Sequence, residues 1–195
     1  MFEMMLDLET MDTEPSAVVL SIGAVIFETS MGEEGLVWKA NYQNFMRVLE
    51  IDSQLARGRT ISQSTLLWWM RQDADARDEA FAPDRRPVPS VLNEFEEFAR
   101  TGHVLGVNAY WASPSTFDFP IWESLSKMEG IEEPWHYRQV RDVRTMVAEA
   151  SYSATSHEPT VPIHGKAHMP VTDCLWQIDL LTAARNKIGR RIAAS

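Results

Sequence analysis
Three short segments of this sequence carry side chains whose types and spacing suit acid–base or metal chemistry. The first is Asp7-Leu8-Glu9-Thr10, at the end of an apolar run that begins at Phe2. Residues two apart on a strand project from the same face, so Asp7 and Glu9 present neighbouring carboxylates. Two like charges so close raise each other's proton affinity unless a cation lies between them. Acidic residues are also poor strand formers, so a pair of them on an apolar strand needs a reason. The ordinary one is a solvated strand end running into the turn from Asp12 to Pro15. The second segment is Thr116-Phe117-Asp118-Phe119-Pro120. Capping and the helix dipole favour aspartate near a helix start, yet the phenylalanines on either side predict that Asp118 points into a protected cleft. The third is His168-Met169-Pro170-Val171-Thr172-Asp173. Pro170 suits the first turn of a terminal helix, which leaves His168 in the preceding loop. Imidazole changes charge near neutrality, so a loop histidine beside carboxylates suits a general base. The plainer account makes His168 an ordinary loop residue and Asp173 a complement to the helix dipole.

The elements that must position these residues can be read from periodicity. Alternation predicts a strand from Phe2 to Leu8, and the Val/Ile-rich run from Ala17 to Phe27 predicts a long buried one. Leu36 to Val48 alternates more weakly and supplies a third. Helical spacing follows around Ser64 to Asp73 and from Val91 to Ala99. A strand is predicted from Val104 to Tyr110, then a helix from Phe119 to Lys127 with Pro120 as its first-turn proline. Tyr137 to Val143 reads as the last strand, with a helix after it to Glu149 and a final one from Pro170 to Ile188. Between those two helices, Ser151 to Pro170 has the composition of a long mobile loop. Strands in a run, followed by alternating strand and helix, predict an α/β domain with a mixed sheet flanked by helices.

Singly, each acidic segment has an ordinary structural account; as an ordered set they resemble the DEDDh family of 3′–5′ exonucleases. The local wording is similar too: Leu6 to Met11, Ser64-Thr65 followed by Trp68-Trp69, Ser115 to Pro120, Arg141-Asp142-Val143-Arg144-Thr145, and the terminal His/Asp helix. These resemble the phage exonuclease A and mycobacterial exoribonuclease branch, over residues 5–185. The resemblance implies a ribonuclease H-like fold, a five-stranded mixed sheet whose first three strands are antiparallel, with helices on both faces. It implies two divalent cations, Mg²⁺ or Mn²⁺, ligated by Asp7, Glu9, Asp118 and Asp173, with Asp7 bridging both. Carboxylate-dominated ligation favours these ions over zinc, and two such ions about 3.5–4 Å apart are a known solution for phosphodiester cleavage. His168 would deprotonate the attacking water, and the product would be a nucleoside 5′-monophosphate. Substrate contacts are expected from Thr10 and Met11, from Trp69 of the Trp68-Trp69 pair, and from Trp111 as a stacking platform. Two departures stand out: Ser113 where many members carry Asn five residues before the aspartate, and Pro170 two residues after the histidine.

Composition sets the bounds. The 195 residues, 45% hydrophobic and 24% charged, fit one globular domain spanning 1–195. The single cysteine, Cys174, excludes an internal disulfide framework or a Cys-rich zinc module and suits a reducing interior. His164, four before His168 and near Cys174, invites a zinc reading, against which Gly165 and the surrounding loop composition argue. No apolar run approaches the ~18 residues of a membrane span, and the N-terminus lacks a basic leader. The expectation is a cytoplasmic protein of a bacterial or phage-infected cell, with no membrane partner. A net charge of −10 argues against non-specific coating of nucleic acid, though not against a metal-dependent enzyme acting on single-stranded DNA or RNA 3′ ends. Arg141 and Arg144 could face phosphate or simply pair with nearby acids. A catalytically idle nucleic-acid-binding or interaction protein of the same fold is the alternative, and a homodimer stays open.

Overall fold
A computed structural model describes residues 1–151, 161–162, 164–165 and 167–193, with the side chains of 40–43 outside that description. Most of the predicted 151–170 loop therefore lies outside the described residues. Three strands lead the chain: β1 (Phe2–Thr10), β2 (Val19–Gly32) and β3 (Gly35–Val48). Three short helices follow, α1 (Asp52–Ala56), α2 (Gln63–Trp69) and α3 (Ala74–Ala80). Then come α4 (Val88–Leu105), β4 (Tyr110–Ala112), α5 (Ser115–Glu129), β5 (Val140–Asp142), α6 (Val143–Ala150) and α7 (Pro170–Ala193). No helix among the described residues is long and apolar enough to cross a membrane.

The sheet order is β3-β2-β1-β4-β5. β1 runs antiparallel to β2, and β2 to β3, whereas β4 lies parallel to both β1 and β5. Isolated parallel bridges at Ala17↔Thr60 and Leu49↔Arg86 carry pairing beyond the five strands expected from the resemblance. Alternation along β1 sorts the core. Met4, Leu6 and Leu8 pack with Val91, Leu92 and Phe95 of α4 and with Phe119, Trp122 and Leu125 of α5. Met5 faces the other way, into a cluster with Val143 of α6 and Cys174, Ile178 and Leu181 of α7. Glu3, Asp7 and Glu9 share that second face by the period of two.

The predicted strand from Val104 to Tyr110 is displaced: α4 continues to Leu105, and β4 begins only at Tyr110. The apolar Val104-Leu105 pair reads as strand, but Val104 is 85% exposed at the end of a helix. Gly106, at φ 86°, supplies the left-handed C-cap that ends the helix. Pro120 is likewise not a first-turn proline. α5 starts at Ser115, which places Asp118 in its first turn and Pro120 inside the helix. The helices α1 and α3 were not predicted. α1 has five residues, too few to show a period. Its place is fixed by Gln54, whose buried amide accepts from Val19 N–H and donates to Val19 C=O, both at 2.9 Å, as a strand neighbour would.

α7 approaches β2 through Gly23, the register partner of Asp7. A Cβ at Gly23 would fall 2.4 Å from Cβ of Pro170 and 2.9 Å from N of Val171. Backbone atoms of a helix start cannot yield as a flexible side chain can. Gly23→Ala should therefore destabilise by about 1–3 kcal/mol, the scale of overpacking a tight core. Urea unfolding measures this, with Gly189→Ala as the contrast: a Cβ there meets nothing within 4 Å, and alanine inside α7 should stabilise by about 0.5–1 kcal/mol.

Candidate active site
β1 outruns its parallel neighbour, since pairing with β4 stops at Met5↔Trp111. The N–H of Leu8 donates instead to Oδ1 of Asp118 at 3.0 Å, so the first turn of α5 occupies the place a longer β4 would have taken. Asp118 is only 2% exposed. Across β1, α7 lies over Gly23 and brings up Asp173 and Gln177. Nε2 of Gln177 donates to Oδ1 of Asp7 at 2.8 Å. Oδ2 of Asp173 accepts the backbone N–H of His168 at 2.8 Å. His168 takes a left-handed φ of 64°, and its ring meets the Trp68 ring edge-on with centroids 4.6 Å apart.

All five predicted catalytic side chains, Asp7, Glu9, Asp118, His168 and Asp173, line one cavity of about 830 Å³. One ligand atom each from Glu9, His168 and Asp173 lies within 4.8 Å of the others. Burial drives the electrostatics. It raises the proton affinity of Asp7 well above the ordinary carboxylate range, and the charges of Asp118, Glu9 and Asp173 add to the effect. Glu9 is raised for the same reasons, with Glu79 of α3 a further contributor. Asp118 is pushed up to about 7 by burial, partly offset by its bond from Leu8 and by the charge of Arg144. Asp173 is raised by burial and restrained by the His168 N–H. Among the described residues, neither lysine nor arginine forms an ion pair with any of these four.

The predicted substrate contacts divide. Thr10 lines the cavity. Met11 does not: it is buried with Val18, Leu20 and Trp69 in a third small core. Trp69 is 1% exposed and ties its indole N–H to the Thr10 carbonyl at 2.9 Å, so it supports the strand end instead of stacking on a base. Its neighbour Trp68, 39% exposed, is the one on the cavity wall. Trp111 packs on the α7 face, its N–H bonded to Glu3 at 2.6 Å and its ring beneath Arg185, away from the cavity. The zinc reading also fails on placement: Cys174 is buried with its sulfur toward Gly23 O, and His164 bonds to Asp179 at 2.6 Å. Sequence reasoning missed Gln177, although its i+4 spacing from Asp173 puts both on one helix face. It also missed Glu79, for which no local pattern gives a signal. Of the two departures, Ser113 lines the cavity and Pro170 is the residue seated on Gly23.

A family model described as the 3′-5′ exoribonuclease Rv2179c-like domain matches residues 2–184. The exodeoxyribonuclease of Enterobacteria phage T4 is 23% identical to this chain, with 75% of the chain and 71% of the phage protein covered.

The crowded carboxylates give a stability signature for the metal-free protein. The folded pKa of Asp118, about 7, exceeds its ordinary 3.8, so between those values the folded state holds a proton that the unfolded state has released. Stability must then fall as pH rises through that window. In a chelator, the unfolding midpoint should drop between pH 5 and pH 8, and Asp118→Asn should flatten the drop and raise the midpoint at pH 8. Each kcal/mol regained corresponds to about 2–4 °C for a chain of this size, readable by calorimetry.

Proposed function
Because this chain belongs to the Rv2179c-like family of 3′–5′ exoribonuclease domains, and is thereby a nuclease, we propose that it removes nucleotides singly from the 3′ end of single-stranded nucleic acid, as one ribonuclease H-like domain. The observation that carries this reading is the meeting of Asp7, Glu9, Asp118 and Asp173 in one cavity without a lysine or arginine ion-paired to any of them among the described residues.

These residues fit divalent cations. The donors are carboxylate oxygens, the set preferred by Mg²⁺ and Mn²⁺, and their mutual repulsion needs a cation to relieve it. Asp7, Glu9, Asp118 and Asp173 would hold two ions. Bound there, the ions would supply charge stabilisation for the phosphoryl centre and the leaving 3′ oxygen. The chain's own residues do the rest. Gln177 fixes the rotamer of Asp7, and the Leu8 N–H fixes that of Asp118. Asp173 holds the His168 backbone, and Trp68 limits the swing of the ring. His168 would accept the proton of the attacking water, and a nucleoside 5′-monophosphate would leave. Trp68 offers the exposed aromatic face on which a terminal base could stack. The family is described by a ribonuclease and the phage relative is a deoxyribonuclease, so matched DNA and RNA strands belong in every assay.

A strand labelled at its 5′ end should shorten progressively with Mg²⁺ or Mn²⁺ and release monophosphates, and a blocked 3′ terminus should stop it. Internal fragments from a circular strand would defeat this reading. Asp7→Asn should abolish turnover while leaving metal-free stability equal or greater, because it removes one of four repelling charges; more than a tenth of wild-type activity would remove Asp7 from the metal-binding role.

His168→Ala separates a base from a ligand. As a base, His168 contributes about two to four orders of magnitude in rate, and its loss should leave Mn²⁺ affinity nearly unchanged. Calorimetric titration showing Mn²⁺ affinity lost along with rate would instead make Glu9, His168 and Asp173 a ligand set.

A further inference from the structure
An enzyme that gathers carboxylates must still admit an anionic phosphate, and a cationic side chain beside them favours its approach. Among the described residues lining the cavity, the side chains able to carry positive charge are Arg144, His164 and His168. His164 is engaged: its Nε2 lies 2.6 Å from Oδ2 of Asp179, whose other oxygen accepts the Trp38 indole N–H at 2.5 Å. His168 is held against Trp68 and Asp173. Arg144 is different. It donates no hydrogen bond and forms no ion pair among the described residues, although its charge lowers the proton affinity of Asp118.

Its position is not accidental. Asp142 caps α6 by accepting Thr145 N–H on Oδ1 at 2.7 Å, and accepts Ser115 N–H of α5 on Oδ2 at 2.7 Å. One carboxylate thus fixes the starts of both helices, which carry Arg144 and Asp118. Arg141, three residues earlier, is a natural contrast. Its Nη1 is spent on the carbonyls of Arg138 and Val140, at 2.5 and 2.8 Å, and it does not line the cavity. A guanidinium with no partner among the described residues, held beside the acidic floor, presents a planar fork of donors that matches two phosphate oxygens.

We propose that Arg144 binds the non-bridging oxygens of the phosphate that leaves as the 5′-phosphate of the released nucleotide. The inference rests on the nuclease reading above and adds to it a specific phosphate contact outside the carboxylate set. It follows that Arg144 discriminates a nucleotide from the same nucleoside lacking phosphate, and that its contribution appears in binding of both product and substrate.

The test uses the full chain loaded with Mn²⁺, titrated calorimetrically with adenosine 5′-monophosphate and, separately, with adenosine. Arg144→Gln should weaken the monophosphate about ten- to hundredfold, the scale of hydrogen bonds to a charged group. Adenosine binding should stay unchanged. Arg144→Lys should recover part of the loss, since it restores charge without the fork, and Arg141→Gln should change none of these. In steady-state cleavage of a short strand, Arg144→Gln should raise KM by a similar factor. A wild-type protein that cleaves strands and binds the monophosphate, with Arg144→Gln binding it undiminished, would overturn this inference alone. Equal weakening toward adenosine and its monophosphate would overturn it too, by pointing to general distortion. A wild type that neither cleaves nor binds monophosphate would overturn the nuclease reading and this inference together.

Discussion
The first turn of α7 lies against β2 so closely that there is no room for even a methyl group at Gly23, where Pro170 Cβ would be 2.4 Å away. Because Gly23 is the register partner of Asp7, this contact decides how far α7 stands from the acidic end of β1. Gln177 reaches Asp7 only with the helix at that distance, and Asp173 holds the His168 backbone at the start of the same helix. The left-handed φ of His168 belongs to the same arrangement: the chain must turn sharply just before Pro170 begins the helix. A non-glycine residue in that region carries strain that its surroundings must hold, and here the Asp173 oxygen holds it.

The other end of α7 is fixed by a different kind of contact. Arg185 donates through both Nη atoms to the two oxygens of Glu3, each at 2.7 Å. Glu3 is fully buried and also accepts from Trp111 and Thr29, so the desolvated pair has its hydrogen-bonding needs met. Asn186 adds bonds to N–H and C=O of Leu36 on β3. β1 therefore carries acidic residues at both ends of one face with opposite fates. Glu3 is neutralised by an arginine of the chain, while Asp7 and Glu9 have no such partner among the described residues. That difference in pairing separates a structural carboxylate from a cluster available to cations.

Much of this was legible in the sequence, for identifiable reasons. The period of two along Phe2 to Leu8 and the Val/Ile run after Ala17 are strong patterns, and they placed the first strands. Carboxylates on an apolar strand and between two phenylalanines drew attention to Asp7, Glu9 and Asp118, and their order with His168 and Asp173, which resembles a nuclease family, singled out all five. Where local pattern was ambiguous, the reading slipped. Trp68 and Trp69 are adjacent, and only the bond from Trp69 to the Thr10 carbonyl shows which of them turns inward. Trp111 follows the central strand, yet its facing is set by Glu3 and Arg185, more than 70 residues away on one side and 100 on the other. Gly106, whose left-handed φ ends α4, lies inside the apolar segment that reads as a strand. Glu79 reaches the site through packing of a seven-residue helix that no periodicity announces.

Oxygen atoms already in use say something about which cation suits the cavity. Asp118 has one oxygen on the Leu8 N–H, Asp7 has one on the Gln177 amide, and Asp173 has one on the His168 N–H. Three of the four acids therefore arrive with one oxygen already holding a hydrogen bond to the chain, which leaves the other oxygen of each as its freer donor. Calcium fills its 6–8-fold shell partly by gripping carboxylates through both oxygens, whereas magnesium keeps an octahedron of single donors and retains water. Under the two-ion proposal, aspartates that each lead with one freer oxygen would suit the smaller octahedral ion, with water completing its shell, better than calcium. The hydrogen bonds that orient the acids would then also bias how each one grips a cation, through the same N–H groups that hold the rotamers.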